Sequence, residues 1–268
     1  MPASFTTPAT WEIREPRHTD NGDSPSLVRD ANQVGCWIFA QAPGESDADA
    51  LARCSQNLAV GASNATLDRQ YPENTGIFPA PDYVRAREDE LLVTRLPSTA
   101  EVYGCAFVRC TDGQLGVGAD DRAFIMGSYG NTLNQGWALY WNSPTNLRLL
   151  TYEDDDTLRT ADFTYGVASA GVFRLVDFSI SATEMKLWDV TDGGAAVVTA
   201  LPTGHGIGAQ TVSLLGRVTT GTDFTASITK DLAIARLYDA VLNDVERAIV
   251  HAQMRDYIVN STALVEGS

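Results

Sequence analysis

Hydrophobic residues in this chain fall in short runs rather than at helical spacing. From Gln33 onward, stretches of four to nine apolar and aromatic residues alternate with Gly, Asn and Asp. Val34–Phe39, Leu91–Leu96, Val102–Cys110, Ala123–Met126, Trp137–Trp141 and Leu147–Tyr152 read as strands. Phe173–Ile180 and Met185–Val190 read as a hairpin, and Val197–Leu201, Val212–Leu215 and Leu232–Tyr238 close the series. Short strands of this kind, punctuated by turn residues, predict an all-β fold: a two-sheet antiparallel jelly-roll sandwich.

Two segments break the pattern. Asn243–Ile258 is predicted as a short C-terminal helix, with Asn243 as N-cap and Glu246 completing a capping box. Val245, Ile249, Ala252 and Ile258 are expected to share its buried face. Ser46–Cys54 is a second, shorter helical candidate. Residues 1–26 are rich in Pro, Thr, Ser and Asp, with Trp11 and Ile13 as their main apolar anchors. They are expected to form an arm, leaving 27–268 as one domain. No fixed-period repeat and no later linker divides the chain.

The charge balance narrows the partners. Thirty-four acids against 19 bases give a net charge of −15, which repels phosphate backbones and anionic membrane surfaces. Nucleic acid is excluded as an expected partner. No 18-residue apolar run predicts membrane insertion. The first residues lack a basic and an apolar signal region, so synthesis in the cytoplasm without a signal peptide is expected, with release by lysis. Of the 19 bases, only Lys186 and Lys230 are lysines, a bias that genome composition explains without function. Cys36, Cys54, Cys105 and Cys110 form no C-x-x-C, and His18, His205 and His251 are scattered, so buried free thiols are expected rather than zinc.

Ala233-Ile-Ala-Arg-Leu-Tyr-Asp-Ala-Val-Leu-Asn-Asp-Val-Glu-Arg-Ala-Ile249 is a strand, an Asp-bearing turn and a short helix. This piece resembles the end of concanavalin A-like, laminin-G-like and pentraxin-type jelly rolls. Gly35–Phe39 resembles the family's first aromatic strand, Val102–Cys110 the strand before its central loop, and Met185–Val190 with Gly193-Gly194 its aromatic strand and turn. The resemblance spans roughly residues 33 to 260. It implies a helix packed at the rim and, in many members, loop-bound calcium.

The calcium and catalytic signatures are incomplete. Ser128–Trp141 resembles the pentraxin ligand stretch, yet Asn134-Gln135 stands where an acid is needed, and no acid follows Leu215-Gly216 until Asp223. Two other oxygen clusters, Asp120-Asp121 and Asp154-Asp155-Asp156, are candidate metal ligands, with calcium the expected ion and solvated loops the simpler alternative. Glycosidases need paired carboxylates across a cleft, and no strand of alternating acids occurs. Glu88-Asp-Glu90 and Glu153–Asp156 lack the spacing. There is no Gly-x-Ser-x-Gly and no P-loop, and Gly204-His-Gly-Ile-Gly208 reads as a turn. The chain is therefore not expected to be an enzyme.

Sugar binding asks for an aromatic platform beside amides and acids. Tyr129, Asn131, Asn134, Trp137, Trp141 and Tyr152 supply those groups within one short span and are the candidate carbohydrate-binding residues. Trp137 and Trp141 share one strand face and Tyr140 takes the other, so either set can be core instead. The expectation is a non-catalytic, phage-type virion protein, a spike, fibre or decoration, that recognises host surface carbohydrate. It would form a homo-oligomer and join other virion proteins through residues 1–26. The alternatives are a ligand-free capsid or tail component and, less favoured, a glycosidase.

Overall fold

The computed structural model describes residues 32–266 except 40, 42–43, 60–65, 70–76, 88–89, 112–114, 116–121, 130–134, 218–227, 263 and 265. The proposed arm at 1–26 lies outside the described residues, as do Asp120, Asp121, Asn131, Asn134 and Glu88.

Two antiparallel sheets face each other. The first runs β13 (Val197–Ala200), β12 (Glu184–Asp189), β11 (Arg174–Ile180), β6 (Val102–Thr111), β15 (Thr229–Tyr238), β4 (Val84–Arg87) and β3 (Ile77–Pro79). β1 (Gln33–Ile38) also pairs with β15, alongside its C-terminal half, while β4 takes the N-terminal half. The second sheet runs β10 (Leu158–Thr164), β9 (Asn146–Tyr152), β8 (Trp137–Ser143), β7 (Ala123–Gly127), β14 (Ser213–Leu214), β5 (Glu90–Val93) and β2 (Thr66–Arg69). The sandwich expected from the short-strand pattern is present. β2, β3, β4 and β10 are additions, because their runs are too short or too polar to stand out.

Side-chain alternation builds the main core. On β8, Trp137, Leu139 and Trp141 face the opposite sheet, and on β9 Leu147 and Leu149 do the same. From the first sheet Val102, Ala106, Val108 and Cys110 of β6 meet them, with Val176, Phe178 and Ile180 of β11. Cys105 turns to the other face, as the odd spacing from Cys110 requires. All four cysteines are buried and none forms a disulfide.

β6 and β15 are buried almost throughout because the first sheet is covered on both faces. Its outer face packs under α2 (Asp244–Ser261), where Tyr103, Cys105, Phe107, Leu175 and Ile234 meet Val250, Met254, Tyr257 and Ile258. A bulge between Leu232 and Ile234 lets Ala233 and Ile234 both face α2 while Leu232 and Ala235 face the sandwich interior. Asn243 and Glu246 form the expected capping box. α1 (Asp47–Cys54) likewise starts at a capping Ser46.

Two details of the helix depart from expectation. α2 lies on the outer face of the first sheet, not on the rim. Its buried face is also rotated: Val245 and Ile249 are exposed, at 71% and 49%, and of the expected set only Ile258 is buried. A second apolar stripe, Val250, Met254, Tyr257 and Ile258, meets the sheet instead, and Arg247 and His251, one turn apart on its border, both reach the buried Asp177 of β11.

Candidate functional site

The strand ends at Trp137, Tyr152 and Gly127 gather the sequence candidates at one end of the second sheet. Along β9, Thr151 faces inward, and Arg148, Leu150 and Tyr152 face outward. Strand pairing then lines up a row across the outer face: Phe124, Tyr140, Arg148 and Asp162. Ala138 and Leu150 form the next row, and Tyr152 with its partner Leu158 the outermost. Phe124, Ala138, Tyr140 and Leu150 form a small buried cluster, with Tyr129 and Tyr152 packed on it.

Tyr129 and Tyr152 lie 6.0 Å apart between ring centroids and only 10° from parallel. Both rings are half-buried, so each keeps an edge or face to solvent. Phe124 and Tyr140 stack behind them at 4.9 Å. Three arginines frame the cluster. Arg217 lies over Phe124 at 4.8 Å and Tyr129 at 5.8 Å, Arg122 over Tyr140 at 5.5 Å, and Arg148 pairs with Asp162 at 2.6 Å. Burial, then the neighbouring Tyr129, pushes the Tyr152 phenol up to about 12. Tyr152 thus stays a neutral hydroxyl, able to donate or accept, through the physiological range.

The acidic turn follows directly on Tyr152. Glu153 points into the protein: its carboxylate takes Arg159 Nε at 2.5 Å and the Thr203 backbone N–H at 3.1 Å. Asp154, Asp155 and Asp156 are exposed. The Thr157 hydroxyl, and then the Thr157 backbone N–H that Asp155 Oδ1 accepts at 3.0 Å, hold the Asp155 carboxyl below its usual range. Asp156 adopts φ 64, a left-handed conformation that Asp tolerates better than most residues. Among the described residues, no three His, Cys, Asp or Glu side chains converge to hold a metal ion. The Asp155 carboxylate closes a turn, and all three aspartates are exposed, as the solvated-loop alternative expects.

The loop at 203–208 braces the same end. His205 Nδ1 lies 2.7 Å from Thr151 Oγ1, and Gly206 bonds to Tyr152 and Gly136 through the backbone. Desolvation lowers the His205 pKa below its ordinary value. This Gly-rich segment is a buttress, consistent with its reading as a turn.

Trp137 and Trp141 are corrected as platform candidates. Both are 0% exposed in the inter-sheet core, Trp137 against Phe178 at 4.8 Å and Trp141 against Tyr165 at 5.4 Å. The alternating pattern sends them inward and Tyr140 outward. Of the candidate carbohydrate residues, the structure brings together Tyr129 and Tyr152. Phe124, Arg122, Arg217 and Leu158 were absent from the sequence reading, although a β7–β8–β9–β10 pairing register would have found Phe124 and Leu158.

No family model matches the chain, and no curated protein matches its sequence. Solved structures do resemble it. The binding domain of botulinum neurotoxin serotype G aligns with a TM-score of 0.58 at 8% identity, covering 85% of this chain and 52% of that one. The receptor binding domain of botulinum neurotoxin D gives 0.54 at 10%, with 85% and 53% covered. A structure of botulinum neurotoxin type C, whose cell entry is described as dependent upon interaction with two ganglioside molecules, gives 0.52 at 12%, with 83% and 51% covered. At such identities the likeness shows the β-sandwich fold alone. The chain spans about half the length of each of these structures.

Proposed function

We propose that this chain is a non-catalytic carbohydrate-binding domain whose platform is the Tyr129–Tyr152 pair. The observation that carries the reading is two near-parallel, half-buried rings on a rigid sheet, next to a turn of three exposed carboxylates. The apolar face of a pyranose stacks on an aromatic ring, and its hydroxyls need acceptors nearby. Asp154, Asp155 and Asp156 supply acceptors, and the Tyr152 hydroxyl supplies a donor. β9 carries Tyr152, and Tyr129, just beyond β7, donates its backbone N–H to the Trp137 carbonyl at 3.0 Å, so little ordering entropy is lost on binding. Similarity to toxin binding domains, one associated with gangliosides, agrees with this class.

The finer reading is a virion spike, fibre or decoration protein that recognises host surface glycan as a homo-oligomer. It rests on the composition of residues 1–26, which suits an attachment segment better than a core element. A glycan array with the full chain, followed by titration of the best hit, tests the binding reading. Tyr152→Ala and Tyr129→Ala should each weaken the titrated affinity at least tenfold with unchanged circular dichroism. No hit on the array, or full affinity in both variants, refutes it.

One observation favours a second reading, a ligand-free assembly component. α2 turns Val245, Ile249 and Val259 to solvent, at 71%, 49% and 72% exposure, and exposed apolar residues gathered on one element mark contact surfaces. Light scattering on wild type and Val245→Glu/Ile249→Glu separates the two: a mass that drops in the double variant, with no glycan hit, supports assembly.

A further inference from the structure

The tyrosine platform carries charges of opposite sign on its two sides. β7 and β9 run in the same direction, because each is antiparallel to β8. Tyr129, just after β7, and Tyr152, at the end of β9, therefore share one end of the sheet, and the acidic turn Asp154–Asp156 continues beyond them. Arg122 precedes Ala123, the first residue of β7, and so starts from the opposite end. Its guanidinium lies over Tyr140, 5.5 Å from the ring centroid, on the side of the platform away from the aspartates. Its charge also reaches the Tyr152 hydroxyl, where it opposes the upward shift that burial imposes.

Arg122 stands out by what it lacks. With 34 acids against 19 bases, carboxylates are plentiful in this chain. Arg53, Arg85, Arg148 and Arg247 each hold one at 3.0 Å or closer. Asp162, the acid in the same cross-strand row as Tyr140, is taken by Arg148. Among the described residues, Arg122 meets the Tyr140 ring and pairs with no carboxylate. It is half-buried, so part of its surface is open to a ligand. Arg217 adds a second positive charge over Phe124 and Tyr129. A guanidinium presents forked N–H donors that match the oxygens of a carboxylate or sulfate.

We infer that the sugar taken by this platform is acidic: a pyranose that stacks on the tyrosines, turns a carboxylate or sulfate substituent toward Arg122 and turns its hydroxyls toward Asp154–Asp156. The inference rests on the carbohydrate-binding reading and narrows it to one class of ligand. The net charge of −15 does not oppose it. Repulsion of one small anion is screened beyond about 8 Å at physiological salt, so the guanidinium nearest the substituent decides. A polyanion would meet the whole acidic surface, which is why nucleic acid stays excluded.

The test is an NMR titration of the full chain with sugars that differ in one group. Methyl glucoside is compared with methyl glucuronide and with methyl glucoside sulfated on its exocyclic oxygen, and the galactose series is run in parallel. In at least one series an acidic sugar should bind about tenfold more tightly than its neutral parent, between the worth of an exposed ion pair and that of a charge-assisted hydrogen bond. The tighter of the two acidic sugars identifies the substituent. The advantage should shrink as sodium chloride rises from about 0.05 M to about 0.5 M, a readout that needs no variant. Arg122→Gln should bring acidic and neutral sugars to the same affinity, and Arg122→Lys should keep part of the difference. Equal affinities in wild type, an advantage indifferent to salt, or one that survives in Arg122→Gln overturns the inference and leaves the platform standing. No binding of any of these sugars overturns both.

Discussion

His251 on α2 places its Nε2 2.8 Å from Asp177 Oδ2 on β11, across the seam between the helix and the outer face of the first sheet. The same oxygen accepts from Arg247 Nε at 3.0 Å and from the Tyr103 hydroxyl at 3.0 Å. Arg247 Cζ also lies over the Trp188 ring, 3.5 Å from its centroid. Asp177 is fully buried, so this carboxylate ties the helix to the sheet at three donors.

Removing it should therefore loosen α2. Asp177→Ala leaves the largely buried Arg247 with only the exposed Asp244 as a partner, and breaking a buried pair costs about 3–5 kcal/mol. Urea denaturation followed by far-ultraviolet circular dichroism measures this. A loss below about 1 kcal/mol would mean the apolar contacts of Met254 and Ile258 hold the helix by themselves.

The inward tryptophans and the outward tyrosines should respond in opposite ways. Trp141→Ala opens a cavity in the inter-sheet core and should cost about 3–5 kcal/mol, while the folded protein keeps its glycan affinity. Tyr152→Ala should show the reverse, a small stability change with lost affinity. Paired thermal melts and binding titrations distinguish them. Lost affinity in folded Trp141→Ala would place the platform on the wrong side of the sheet.

Acid should loosen the buttress loop. Burial holds the His205 pKa below its ordinary 6.5, so the unfolded chain takes up this proton at a higher pH than the folded one. The stability tied to neutral His205 is complete above about pH 6.5 and is lost as pH falls toward the depressed folded value. Other acids change the slope too, so the informative quantity is the difference between wild type and His205→Gln. Urea midpoints at pH 7.5 and pH 5 should fall more in wild type than in the variant. Parallel falls would show that His205 does not contribute.

Gly136 should resist substitution. It has φ +84, and a Cβ there would stand 2.6 Å from the Ser128 carbonyl oxygen. The backbone on both sides holds Tyr129 and Tyr152 in register through Ser128, Trp137 and Gly206. Gly136→Ala should cost at least about 2 kcal/mol from left-handed strain and the clash. It should also reduce glycan affinity. A melting temperature within about 1 °C of wild type, a shift worth roughly 0.5 kcal/mol for a chain of this length, would contradict this.

Much of the fold is legible in the sequence because its signals are local. Alternating apolar runs such as Trp137–Trp141 state that one face is buried, and Asn243 with Glu246 states where a helix begins, whatever the rest of the chain does. Short or polar strands such as Leu158–Thr164 escape notice because their pairing with β9 comes from the sheet, not from their own pattern.

The candidate site divides along the same line. By its chemistry, the sequence determined that aromatics and carboxylates cluster between Tyr129 and Asp156, and that Trp137 and Trp141 share a face opposite Tyr140. It did not determine which face meets the other sheet, because strand periodicity is symmetric between inside and outside. Only the tertiary structure decided that the tryptophans are core, that Tyr129 stacks on Tyr152 across 23 residues of chain, and that the three aspartates turn outward without converging. The rotation of α2 was decided the same way. Helix periodicity offers two apolar stripes, Val245/Ile249 and Val250/Met254/Tyr257/Ile258, and the sheet takes the longer one, beside which Arg247 and His251 pair with the buried Asp177.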